Sequence, residues 1–219
     1  MSAALESRVF EVDDTGNKLP YVLHLPSAYL ADGDEWPLVL FLHGAGERGE
    51  DPAALSVHGP VKQAAAGAEL PFVVLAPQCP GYSTWACELS GVMALVDEVV
   101  GTHRVDASRI YVTGLSMGGA GAWAIAARYP ERFAAAVPIC GSWLPEAAGR
   151  ITDVPVWAFH GEDDSVVPIR HTEKVVEALE ALGGNVRFTR YPGIGHDSWT
   201  ETYDNPEVYE WLLSQRREK

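Results

Sequence analysis

Apolar residues are distributed along this chain in two alternating ways. Short unbroken runs cover residues 37–42 (Pro-Leu-Val-Leu-Phe-Leu), 72–76, 110–113, 134–139 and 154–159. Such runs predict strands buried on both faces of a sheet, because a strand with one wet face would alternate apolar and polar side chains. Between them lie stretches with helical spacing. Residues 89–103 place Val92, Leu95, Val96 and Val99 three or four positions apart, which predicts a helix. Residues 168–182 are amphipathic in the same way and close on Gly183-Gly184, a helix-stop signal. Small residues over 119–129 predict another helix, halted by Pro130. Shorter helices are expected over 52–66 and 206–215. Segments 9–12 and 21–25 read as a hairpin joined by the polar turn 13–17, and 186–191 as the last strand.

Strands alternating with helices predict an α/β fold: a mostly parallel, doubly wound sheet of about eight strands with helices on both faces. A single domain is expected over residues 1–219, a length that can bury a full core. No apolar run approaches the ~20 residues of a membrane span. Residues 1–10 carry Glu6 and Arg8 and lack the apolar stretch of a signal peptide, so a cytoplasmic protein that does not bind membranes is expected. The net charge of −14, from 16 basic and 30 acidic side chains, argues against nucleic acid and anionic lipid as partners. It suits a neutral or apolar small molecule. Cys79, Cys87 and Cys140 are too few for a disulfide framework; reduced thiols are expected, with a Cys79–Cys87 bridge open only to a secreted form.

In sheets of this class, sites form at the carboxyl ends of the strands. The run 110–113 leads into Gly114-Leu115-Ser116-Met117-Gly118-Gly119. This is G-x-S-x-G between a strand and a helix, the setting of a nucleophile elbow. The turn is tight, and Gly114 and Gly118 leave it nearly free of side chains. A serine hydroxyl is a poor nucleophile, so it needs a base, and the base needs an orienting acid. Of the seven histidines, His196 is the one that follows the last strand, through Pro192-Gly193-Ile194-Gly195. His24, His103 and His171 sit in predicted strands or helices, and His43 and His160 precede glycines at strand ends; all five read as structural or solvated. The acid is expected in His160-Gly161-Glu162-Asp163-Asp164, after the strand 154–159. The residue pattern leaves Asp163 and Asp164 both open. The order Ser, Asp, His along the chain is that of α/β-hydrolases.

Leu42-His43-Gly44-Ala45-Gly46, Val105-Asp106 with the stretch from Arg109 to Gly119, His160-Gly161 with Asp164 to Pro168, and Gly195-His196-Asp197 together carry a family resemblance. The chain resembles α/β-hydrolases of the serine carboxylesterase type. It is nearest the single-domain branch with family 1 carbohydrate esterases, polyhydroxybutyrate depolymerase-like proteins and the phospholipase/carboxylesterase group. The resemblance implies the α/β-hydrolase fold and an esterase that acts through an acyl-enzyme on Ser116, without a cofactor. It implies Asp164 as the acid, since relatives place the acid ahead of a Val-Val-Pro run, with Asp163 as its neighbour. For the oxyanion hole it implies the backbone N–H of Ala45, beside that of Met117, the residue after the nucleophile.

Three further readings complete the expectations. The connection 140–153 is too short for a helical cap, so an open pocket for short acyl groups, or for aryl, feruloyl or acetyl-sugar esters, is expected. Trp85, Trp143 and Trp199 each follow a predicted strand closely and are candidate pocket walls. His160, Asp163, Asp164 and His196 lack H-E-x-x-H or C-x-x-C spacing, so no metal is expected. Two rivals remain in view. Gly44-Ala45-Gly46-Glu47-Arg48-Gly49 matches a dinucleotide-binding G-x-G-x-x-G, although Glu47, Glu50 and Asp51 would crowd a pyrophosphate. Prolyl oligopeptidase-like peptidases share the elbow, but nothing here supplies their propeller.

Overall fold

The computed structural model describes residues 4–12, 17–30 and 33–218. The chain runs through β1 (Ala4–Glu11), β2 (Lys18–Leu25), β3 (Trp36–Leu42), α1 (Gly59–Ala65), β4 (Val73–Pro77), α2 (Trp85–Thr102), β5 (Val105–Leu115) and α3 (Met117–Arg128). It continues through β6 (Ala135–Ile139), β7 (Val156–Gly161), α4 (Arg170–Ala181), β8 (Val186–Tyr191), α5 (Trp199–Asp204) and α6 (Pro206–Ser214). The eight strands form one sheet in the order β1-β2-β4-β3-β5-β6-β7-β8. β1 and β2 are an antiparallel hairpin, and β2 lies antiparallel to β4. From β4 to β8 every pairing is parallel. The polar turn expected to close the hairpin lies, apart from Asn17, outside the described residues.

The unbroken apolar runs are strands that feed two cores at once. Leu38, Leu40 and Leu42 of β3 join one cluster, with Val92, Leu95, Val96 and Val99 of α2, Ile125 of α3 and Val175 of α4. Val39 and Phe41, the alternate residues, join the other, with Val61 of α1, Tyr203 of α5 and Val208 and Leu212 of α6. Each strand thus sends successive side chains to opposite faces, and each face needs its own helical cover. Leu40 is wholly buried, and a Leu→Ala change at such a site costs ~2–5 kcal/mol.

The hairpin strands start earlier than the sequence reading has them, at Ala4 and Lys18, and four further differences have a physical reason. β5 extends to Val105 below and Leu115 above. Its lower part is polar (Asp106, Ser108, Arg109), and its register on β3 shifts between Trp36 and Leu38, so no apolar run marks it. α2 starts at Trp85, with Thr84 extended at its N-cap. The helix expected over 52–66 is divided into a 3-10 turn, Pro52–Val57, and α1. Gly59 causes the break: its φ is +61°, and a Cβ there would lie 2.6 Å from the Phe41 ring. α5 has no counterpart in the sequence reading, because it is a single short turn whose burial rests on Thr202 and Tyr203. Among the described residues, no helix is long and apolar enough to cross a membrane.

Candidate active site

The centre of the site is the turn between β5 and α3. Ser116 sits there at φ +52°, ψ −115°, as the N-cap of α3. Few L-residues adopt such a backbone, and it persists only where the surroundings enforce it. Here the enforcement is backbone against backbone. A Cβ on Gly118 would fall 1.8 Å from Leu42 O, and one on Gly114 2.4 Å from Gly118 O. A Cβ on Gly119 would fall 2.2 Å from Ile139 O. The glycines therefore let α3 start against β3 and β6. Ser116 N–H donates to Ile139 O at 2.9 Å and also faces Cys140 Sγ at 3.3 Å. Cys140, at the end of β6, is the other non-glycine described residue with positive φ, +42°.

Two loops bring polar side chains to this hydroxyl. His196, beyond β8, places Nε2 2.9 Å from Ser116 Oγ and Nδ1 2.7 Å from Asp164 Oδ2. Nδ1–H donates to the carboxylate, which leaves Nε2 to accept from the hydroxyl. Asp164 follows β7 and is buried, and its Oδ1 accepts the N–H groups of Val166 and Val167 at 2.9 Å each. Burial would push this carboxyl up, but the bonds from His196, Val167 and Val166 outweigh it and hold the acid below its ordinary range. Asp163 is exposed, and its backbone N–H donates to Ile194 O. Of the two acids left open by the residue pattern, Asp164 is the one against the imidazole.

Met117 is the first residue of α3. Ala45 opens a three-residue 3-10 turn after β3. N–H groups at the first position of a helical turn have no carbonyl of their own turn to reach, so both suit an oxyanion. His43 pins this loop. Its Nδ1–H donates to Gly44 O at 2.6 Å, its Nε2 accepts Cys79 N–H at 2.9 Å, and Trp85 Nε1–H donates to His43 O at 2.9 Å. Burial pushes the His43 ring down to about 4, so it stays neutral and keeps that tautomer.

The three tryptophans part company. Trp85 is no pocket wall: as the first residue of a helix it points inward, 1% exposed, with its ring edge-on to His43 at 4.9 Å. Trp143 lines a cavity of about 410 Å³ with Leu89, Ala124, Ala127 and Arg128, whose lining includes neither Ser116 nor His196. Trp199 alone meets the site, edge-on to His196 at 5.3 Å, with His58 on it at 5.4 Å. His58 and Cys140 were passed over in the sequence because no motif or periodicity marks them.

Cys140 Sγ, one Asp164 oxygen and one His196 nitrogen lie within 4.8 Å of one another. As metal ligands they would have to give up bonds already made, and burial pushes the Cys140 thiol up to about 12, away from thiolate. The Gly44–Gly49 loop does not open on an α-helix; it contains the 3-10 turn Ala45–Glu47, the 3-10 turn Pro52–Val57 comes next, and α1 begins only at Gly59. A pyrophosphate would find no helix N-terminus there. Cys79, Cys87 and Cys140 are free thiols.

Known proteins resemble this chain over much of its length. The family described as Phospholipase/Carboxylesterase matches residues 87–205, more than half of the chain. A crystal structure of a thermostable esterase superposes with a TM-score of 0.84 at 38% identity, covering 97% of this chain and 63% of that one. Acyl-protein thioesterase 1 of Gibberella zeae is 32% identical over 112 residues, 46% of each chain. Carboxylesterase SOBER1 of Arabidopsis thaliana is 28% identical over 136 residues, 58% of each. The chain spans about half the length of the curated relatives it matches.

Proposed function

The chain belongs to the phospholipase/carboxylesterase family and has the α/β-hydrolase fold, and from that premise we propose that its 219 residues act as a serine carboxylesterase on small, short-chain esters. The observation that carries this reading is one imidazole bridging a strained serine and a buried acid, 2.9 Å from Ser116 Oγ and 2.7 Å from Asp164 Oδ2. Ser116 Oγ attacks the ester carbonyl while its proton passes to His196 Nε2. The tetrahedral oxyanion is met by the N–H groups of Met117 and Ala45. Collapse expels the alcohol with the proton from His196 and leaves an acyl-enzyme. Water, deprotonated by the same nitrogen, then attacks; the acid leaves and the proton returns to Ser116. Asp164 keeps Nδ1 protonated throughout, so the base always faces the hydroxyl.

Ser116→Ala should lower ester hydrolysis by about 10⁴–10⁶-fold, and a fluorophosphonate should label the wild type at Ser116 and leave the variant unlabelled. An unlabelled wild type would reject the reading. The short-chain preference is supported by the β6–β7 connection, which carries one 3-10 turn, Pro145–Arg150, and no helical cap. Without a wall to bury it, each added methylene forgoes its ~0.8 kcal/mol. In a p-nitrophenyl ester series from acetate to palmitate, kcat/KM should peak within a few carbons and show no jump at micelle formation. A long-chain optimum would mean a deep acyl tunnel.

The thioesterase among its relatives favours a second reading, hydrolysis of thioesters by the same residues. Comparing matched oxygen esters and thioesters in that series separates the two. Free thiols at Cys79, Cys87 and Cys140 support a reducing, cytoplasmic compartment.

A further inference from the structure

His160, in β7, has no task in the ester chemistry, yet it is buried against the acid. Its ring is 0% exposed. Nε2 lies 3.1 Å from Asp164 Oδ2, the oxygen that also meets His196, and 2.8 Å from Val167 O. Two acceptors face this nitrogen, so it must carry a proton. Burial pushes the ring's pKa down; its Nδ1 lies 2.8 Å from Oγ1 of Thr172, on α4, whose hydroxyl donates to Gly141 O at 2.9 Å. Asp164 therefore meets four N–H groups: Val166 and Val167 on Oδ1, His196 on Oδ2, and on Oδ2 also that of His160, which it shares with Val167 O. Four is the full capacity of a carboxylate.

We propose that His160 is a positioning residue for the triad: its Nε2–H holds Asp164 Oδ2 against His196 Nδ1 and draws part of the carboxylate's charge away from His196. The inference rests on the esterase reading of Ser116, Asp164 and His196. It has a signed consequence. A carboxylate that loses one donor concentrates its charge on the donor that remains, which favours the protonated His196. Loss of the His160 N–H should move the acid limb of the pH–rate profile to higher pH. If His160 only filled space, its loss would let Asp164 turn away, and the limb would move to lower pH. Other groups face His196 as well. Cys140, from the end of β6, keeps its proton, because burial pushes the thiol up to about 12. Asp197, on the same loop as His196, spends its carboxylate on Thr200 N–H and Oγ1–H. His58 lies on Trp199.

The test compares His160→Phe, which removes the donor, with His160→Gln, which keeps an N–H at the end of a side chain. Phe should lower kcat about tenfold, leave KM within about twofold and move the acid limb up by about half a pH unit; Gln should recover most of this. The wild type supplies a measurement that does not depend on either variant folding. Its imidazole ¹⁵N spectrum should show His160 protonated at Nε2. An acid limb that stays put or moves down in His160→Phe, equal losses in both variants, or a His160 bare at Nε2 would overturn the proposal. A wild type that no fluorophosphonate labels would overturn the esterase reading itself, which separates the two failures.

Discussion

The two ends of β5 are held by different forces. At the lower end the Asp106 carboxylate gathers Ser108 N–H at 3.0 Å, Ser108 Oγ–H at 2.6 Å, Arg109 Nε–H at 2.8 Å and Arg216 Nη2–H at 3.0 Å. This clasp ties the C-terminal tail to the strand, and Arg217 N–H adds a bond to Ser108 O. Burial pushes the Asp106 carboxyl up, but the Ser108 and Arg109 bonds outweigh it and bring it down to about 2. At the upper end, around Ser116, the contacts are between backbones: Gly118 against Leu42 O, Gly119 against Ile139 O. Polar side chains can be exchanged or protonated one at a time, at a moderate cost for each bond. A backbone collision offers no side chain that could move aside. The strained serine is tolerated because its neighbours leave it nowhere else to go.

The sharpest way to break this contrast is Gly118→Ala. With a Cβ 1.8 Å from Leu42 O, the variant should lose more than ~4 kcal/mol, read by urea unfolding, or fail to fold. Gly195→Ala is the control. Its Cβ would meet nothing nearer than Asp163 O at 3.9 Å, so its cost should stay within about 1 kcal/mol. A Gly118→Ala protein as stable as the control would refute the collision argument.

The next largest effect separates function from fold at the same end of the strand. Asp164→Asn should lower kcat by about 10³–10⁴-fold, because an asparagine favours the wrong tautomer of His196. Asp163→Asn, on an exposed side chain, should change it by about twofold at most. Steady-state kinetics on both variants decides; the reverse ranking would move the orienting role to Asp163.

The smallest effect belongs to the clasp. The folded pKa of Asp106, about 2, lies below the ~3.9 of an unfolded aspartate. Its contribution is therefore complete above about pH 4 and fades as pH falls towards 2. At 1.36 kcal/mol per unit this is roughly 2–3 kcal/mol. Asp106→Asn should cost about that much at neutral pH, with the gap to wild type closing across pH 4 to 2 in urea titrations. Activity at Ser116 should not change. A gap independent of pH would mean that packing, and not charge, holds this end.

What local pattern controls was legible in the sequence. The unbroken apolar runs had to be strands with two buried faces, and they are. Gly114 and Gly118 around a serine had to mark a turn too tight for side chains, and their surroundings admit none. His196 stood out because it alone among the histidines follows the last strand. Other features depended on residues far apart in the chain meeting. The bond from His196 to Asp164 spans 32 residues and that from His196 to Ser116 spans 80; in the sequence, a family resemblance and not the residue pattern had favoured Asp164 over Asp163. The polar lower half of β5 had no periodicity to reveal it, because its hydrogen bonds reach Arg216 in the C-terminal tail. Trp85 turned inward because α2 begins with it, which no loop-length argument anticipates. His160 read as a turn residue until its ring was found on the second lone pair of the same oxygen that orients His196. Periodicity is a property of neighbours along the chain and survives without the fold. The direction in which a loop side chain points is set by whichever distant group satisfies its hydrogen bonds, and only the tertiary structure decides that.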